Sequence, residues 1–177
     1  QNQLINKALA ALVPQQATNL VATRIAEPKP IDEVPFPAAL ASRTIQIDNI
    51  ESSLSQYGIS WIYGAAGNGK TIGAKIAAQH LKGDLASINL RGLNAEQVHA
   101  VLSGAIDILV EQEIDGLLVD DLECPFEPHI VDILLYLQAI CNRADLFLII
   151  ISPRRPSPDF LFSAKLPVSI EQKFEEF

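Results

Sequence analysis

Apolar positions change their period along the chain, and each change predicts an element. Leu4, Ile5, Ala8 and Leu12 recur at helical spacing, so residues 1–13 are expected to form a weakly amphipathic helix that Pro14 stops. Periodicity is then lost over residues 14–42. Pro28, Pro30, Pro35 and Pro37 stand there among charged and small residues, the pattern of an extended, semi-rigid connector that should mostly lack regular structure. Ile47, Ile50 and Leu54 share one helical face within residues 44–56, and Gly58 ends that helix. Continuous apolar runs follow at 59–63, 85–90, 116–121 and 146–151, each bounded by turn residues. Residues 166–170 are a candidate fifth strand.

Between these runs the period returns to that of a helix. Residues 72–81 form one helical stretch. A second carries Val98, Val101, Leu102, Ala105, Ile106 and Leu109 on one side, opened by Asn94 with Gln97 three residues on, as in a capping box. A third carries Ile130, Ile133, Leu134, Leu137, Ile140 and Cys141. Strands and helices thus alternate, and the strands are apolar throughout rather than alternating. That combination predicts an α/β fold, a three-layer α-β-α arrangement with a mostly parallel sheet of about five strands. In such a sheet ligands bind outside the carboxyl ends of the strands.

The residues at those ends carry the candidate chemistry. The first strand runs into Gly64, Ala65, Ala66, Gly67, Asn68, Gly69, Lys70 and Thr71, which fits the phosphate-loop pattern G-x-x-x-x-G-K-[ST]. A glycine-rich loop lets successive N–H groups converge on a polyphosphate, and the start of the following helix, at Ile72, adds free donors and the positive end of its dipole. Lys70 would reach the β/γ-phosphates and the Thr71 hydroxyl would ligate Mg²⁺. The third strand ends in Asp120 and Asp121. Asp120 is expected to fix the same metal through a bound water. Asp121 is the first candidate to orient and polarise an attacking water, and Glu123 the second. After the fourth strand, Ser152 is placed to reach the γ-phosphate or that water, and Arg154 or Arg155 to stabilise transferred charge. His80, His99 and His129 are isolated and expected to be structural, Asn89 and Arg91 to serve a turn, and Trp61 to belong to the core.

Composition narrows the setting. The chain has 177 residues, enough for one domain with additional chain at an end. Its net charge is −8 and its pI about 4.8, which argues against broad nucleic-acid binding through this domain. No apolar run approaches the ~18 residues that span a bilayer, and no signal peptide is visible, so a cytoplasmic location without membrane attachment is expected. The two cysteines, Cys124 and Cys141, match no metal spacing and suit a reducing compartment. The absence of methionine, even at position 1, suggests a fragment.

Three segments together resemble the P-loop ATPases of the AAA+/STAND group: the loop at 64–71, the stretch Leu-Leu-Val-Asp-Asp-Leu-Glu at 117–123, and Leu-Ile-Ile-Ile-Ser-Pro-Arg at 148–154. The double Asp is more like STAND proteins, signal-transduction ATPases that act as nucleotide-controlled switches, than like AAA+ motors. Residues 166–177 are similar to the short strand and acidic segment that lead into the STAND helical lid, and Arg43 resembles the Arg ahead of their ATPase core. Pro153, between Ser152 and Arg154, departs from the Thr-Ser/Thr-Arg that the family often shows.

The resemblance implies a P-loop NTPase core over residues 43–177, preceded by the helix and connector, with lid and other domains outside this chain. It implies ATP and Mg²⁺ as cofactors and a slowly hydrolysing switch, with Arg154 as a sensor. ATP and ADP would be its ligands, and protein partners or self-assembly would work through the missing domains. Two other readings stand beside it: an AAA+ loader or remodelling ATPase acting on nucleic acid or protein, and a non-hydrolysing nucleotide-binding assembly module.

Overall fold

The structure is a computed structural model that describes residues 25–30 and 43–175, apart from 66, 68, 82 and 110. The expected N-terminal helix at 1–13 lies outside the described residues, as does the connector except for 25–30. Those six residues overturn part of the connector reading, because Ile25–Pro30 is a strand, β1. It pairs antiparallel with the strand that carries residues 84–89, and its register shifts between Ala26 and Lys29. Pro28 falls inside that irregularity and Pro30 at the strand's end. Proline lacks the N–H a ladder needs, and sheets accept it at edges, ends and bulges.

The remaining elements follow the predicted order. Helix α1 is Thr44–Tyr57, strand β2 Ile59–Tyr63, helix α2 Lys70–His80, strand β3 Asp84–Asn89 and helix α3 Ala95–Leu109. Strand β4 is Gly116–Asp120, helix α4 Pro128–Arg143, strand β5 Phe147–Ser152, helix α5 Pro158–Ala164 and strand β6 Glu171–Lys173. The sheet order is β1-β3-β4-β5-β2-β6. Strands β3, β4, β5, β2 and β6 are mutually parallel, so the expected five-strand parallel sheet is present with one antiparallel edge added.

Alternating strand residues supply two cores. Trp61, Ile88, Val119 and Ile150 face one side, where α3, α4 and α5 cover them. Ile62, Leu118, Ile149 and Ile151 face the other, under α1 and α2. The capping box forms at α3, with Gln97 N donating to Asn94 Oδ1 at 2.9 Å and Asn94 N to Gln97 Oε1 at 3.1 Å.

Two expectations are corrected. The fifth parallel strand is not at 166–170: Val168–Ile170 is a single 3-10 turn, and the strand comes after it. Pro167 caps that turn, and the three strand residues, Glu-Gln-Lys, are polar, so no apolar run marked them. Ile170 and Phe174 flank them and are fully buried. Helix α5 was not expected, although Ser157 caps it, Pro158 opens it and Asp159 sits in its first turn, all ordinary start signals. Among the described residues no helix is long and apolar enough to cross a membrane.

Candidate functional site

The site sits where β2, β4 and β5 end. The order β4-β5-β2 leaves a single strand, β5, between the end of β4 and the loop after β2. Gly64, Gly67 and Gly69 take φ values of 145°, 82° and 78°. These are left-handed conformations that a side chain would strain, and they let the backbone fold over the start of α2. Ala66 and Asn68 lie outside the described residues. Helix α2 begins at Lys70, so the expected phosphate ligands Lys70 and Thr71 occupy its first turn, and Ile72 beside them is 39 % exposed.

Three functional groups meet here. Thr71 Oγ1 donates to Asp120 Oδ2 at 2.9 Å. Lys70 Nζ donates to the carbonyls of Gly64 and Ala65 at 2.5 and 2.8 Å, curled over its own loop. Burial lowers the Lys70 pKa, while the charges of Asp121 and Asp120 oppose that shift. Burial pushes the Asp120 carboxyl up; the Thr71 hydrogen bond pulls against it and the Asp121 charge adds to it.

Asp121 is held in an unusual conformation by its neighbours. Leu90 N donates to Asp120 O at 2.9 Å, and Leu122 N donates to Ile151 O at 3.0 Å. Fixed on both sides, Asp121 turns through φ 59°. A non-glycine residue in that region is sparsely populated and often marks a functional turn. The Asp121 charge acts on the Lys70 ammonium, opposing the effect of burial on its pKa.

The other expected residues are placed differently. Ser152 is fully buried; its hydroxyl donates to Leu122 O at 2.5 Å and accepts from Arg154 N at 3.1 Å. It therefore locks the β4 and β5 loops together instead of presenting a hydroxyl to a ligand. Glu123 is exposed, one residue beyond the anchored Leu122. The Arg154 side chain is exposed, while its carbonyl accepts from Trp61 Nε1 at 2.9 Å. Arg155, the other candidate, is paired with Glu171 at 2.8 Å. Asn89 Oδ1 accepts from Arg91 N at 2.8 Å, so both serve the turn after β3, and Trp61 is fully buried. His80 pairs with Glu51 across α1 and α2. His99 and His129 are exposed, and burial pushes the Cys141 thiol up to about 12.

Phe174 is the residue that pattern reading missed. It packs against Gly64 and Gly73. The one available signal was Gly73 itself, a glycine inside a helix, which often marks a close approach.

The donor set fits Mg²⁺. Thr71 and Asp120 offer hard oxygens side by side, and the raised carboxyl is a half-buried group whose charge a cation would relieve. Among the described residues no cluster of three His, Cys, Asp or Glu could hold a metal alone. Mg²⁺ takes one or two protein ligands and completes its shell with phosphate and water.

No protein-family model and no curated protein matches the sequence. Solved structures match it in fold. The AMPPCP-bound DnaA from Aquifex aeolicus is 16 % identical, with a TM-score of 0.52 over 82 % of this chain and 49 % of its own. A replication initiator DnaA bound to AMPPCP and single-stranded DNA is 16 % identical, with a TM-score of 0.51 over 76 % of this chain and 47 % of its own. C. elegans PCH-2 is 15 % identical, with a TM-score of 0.50 over 76 % of this chain and 41 % of its own. The chain spans about half the length of these structures or less. The chain shares its α/β fold with these DnaA and PCH-2 structures.

Proposed function

We propose that residues 43–177 are the core of a cytoplasmic, Mg²⁺-dependent ATP-binding switch that hydrolyses its nucleotide slowly, of the STAND type within the AAA+ ATPases. The observation that carries this reading is the 2.9 Å contact of Thr71 with Asp120 beside the ammonium of Lys70. It joins a phosphate-binding loop to a metal carboxylate across the sheet. The two DnaA structures were solved with AMPPCP, an ATP analogue, which supports an adenine nucleotide as the ligand.

The residues divide the work. The loop amides and the first turn of α2 hold the phosphates. Lys70 exchanges the carbonyls of Gly64 and Ala65 for phosphate oxygen. Thr71 and Asp120 hold Mg²⁺, which when bound neutralises charge on the β- and γ-phosphates. Asp121, fixed by its turn, accepts a hydrogen bond from water on one carboxylate oxygen and orients it for in-line attack. Glu123 is the reserve for that role. Ser152 sets the spacing between the loops after β4 and β5, and Arg154 is free to swing toward transferred charge. Protein partners, or a second copy of the chain, would read which nucleotide is bound.

Calorimetry with Mg-ATP tests the reading. Lys70→Ala should abolish binding while the cooperative unfolding transition persists; unchanged affinity would contradict it.

A further inference from the structure

Phe174 lies beyond the last strand, yet it touches the phosphate loop in two places. A Cβ on Gly64 would fall 2.1 Å from the Phe174 carbonyl oxygen, and one on Gly73 would fall 2.8 Å from its ring. A Cβ at Gly64 would meet backbone and one at Gly73 would meet the ring, so a side chain at either position displaces Phe174. Its own N–H donates to Tyr63 O at 2.8 Å, one residue before the loop begins. Arg43, at the entrance to α1 and only 4 % exposed, completes the arrangement. Its guanidinium lies 5.1 Å from the centre of the Phe174 ring, and its Nη2 donates to Glu175 O. Residues 174 and 175 are thus clasped between the start of α1, the end of β2 and the first turns of α2.

Gly64 is therefore held from two sides. Lys70 Nζ bonds its carbonyl, and the Phe174 carbonyl oxygen occupies the space where a Gly64 side chain would project. A phosphate that draws the ammonium away frees the Gly64 carbonyl, and the peptide can then rotate only as far as Phe174 yields. Packed contacts of this kind move between discrete arrangements.

We propose that Phe174 is a positioning residue for the phosphate loop, and that through it nucleotide binding at Gly64–Thr71 is coupled to the path the chain takes at Phe174–Glu175. This rests on the nucleotide reading above. Coupling is reciprocal, so nucleotide must tighten or loosen Phe174 by the same factor by which Phe174 alters nucleotide affinity.

The test uses the full chain. Mg-ATP affinity is measured by calorimetry for wild type, Phe174→Leu, Gly73→Ala and Arg43→Lys, with Leu137→Val in the opposite core as a control for destabilisation alone. Hydrogen exchange at the Phe174 amide is followed in wild type with and without Mg-ATP. The expected result is an affinity change of at least about fivefold in Phe174→Leu and Gly73→Ala, the lower end of site-to-site coupling. The control should stay within about twofold, and Phe174 exchange should shift on adding nucleotide. Phe174→Ala leaves a large cavity and is read only if it unfolds cooperatively; the Leu and Gly73 variants carry the test otherwise. Wild-type binding with both of those variants inside about twofold overturns the coupling and leaves the nucleotide reading standing. A wild type that binds no Mg-ATP overturns both.

Discussion

The two faces of the sheet close in different ways. Under α3 and α4 the contacts are made by leucine, isoleucine and valine, among them Leu102, Leu109, Leu134 and Leu137, all fully or almost fully buried. Under α2 they are made mostly by small residues, Ala74, Ala77 and Ala78 beside the larger Ile76, with Gly73 against the Phe174 ring. Short side chains bring α2 close to the strands, which sets its first turn beneath the ends of β2 and β4. They also bury less apolar area, at roughly 25 cal/mol per Å². That face draws on polar ties instead: Arg43 to Glu175, His80 to Glu51, Thr71 to Asp120. The comparison separates a face that holds the fold from a face that carries the proposed ligand loop.

Substitutions can break that division from either side. Asp121→Asn is expected to have the largest effect on chemistry. Single-turnover ATP hydrolysis should fall by roughly 10²–10⁴-fold, as for loss of a general base, with Mg-ATP affinity and melting temperature nearly unchanged. Should hydrolysis persist, the water-directing role passes to Glu123, and Glu123→Gln should then abolish it.

Leu137→Ala acts on the opposite face. It should cost about 2–5 kcal/mol of stability in calorimetric or denaturant unfolding. The fraction that stays folded should bind Mg-ATP as wild type does. Weakened binding in that folded fraction would show that the faces are not separable.

Asp120→Asn sharpens the comparison because its two effects should have opposite signs. The folded-state pKa of Asp120 is raised by burial. As pH rises past the ordinary carboxylate value, the unfolded chain ionises more readily than the folded one, so Asp120 lowers stability through the window up to its raised pKa. The asparagine variant should lose that dependence and melt higher than wild type at neutral pH without nucleotide, by about 2–4 °C for each kcal/mol relieved. Added Mg-ATP should stabilise wild type and not the variant. A variant that melts lower at every pH would show that the Thr71 contact outweighs the buried charge.

Asn94→Ala should have the smallest effect, about 1 kcal/mol from loss of the capping box, read as a lower unfolding midpoint with unchanged nucleotide affinity.

What could be read from the residues divides along similar lines. The parallel strands and their helices were legible because a strand covered on both faces must be apolar throughout, and because α3 and α4 carry one-sided stripes. The glycine-rich turn between β2 and α2 stood out because phosphate-loop chemistry requires glycine, Lys and Thr at fixed spacing. Strands β1 and β6 were not, since an edge strand needs only backbone pairing: β1 contains two prolines and β6 is Glu-Gln-Lys. Ser152 and Arg154 were named from their place after β5, but spacing does not reveal which way a loop side chain turns. The buried hydroxyl of Ser152 is taken by Leu122 O. Phe174 was hidden because its partners, Gly64 and Gly73, are distant in sequence and have no side chains to form a pattern.

The central claim is that Thr71 and Asp120 hold a metal between the protein and a triphosphate. Titrating the full chain with ATP, first with Mg²⁺ and then with the metal chelated, tests it most directly. The account predicts saturable binding in Mg²⁺ that weakens by at least about tenfold, or ~1.4 kcal/mol, when the metal is removed. Equal affinity in both conditions, or no binding in either, would contradict it.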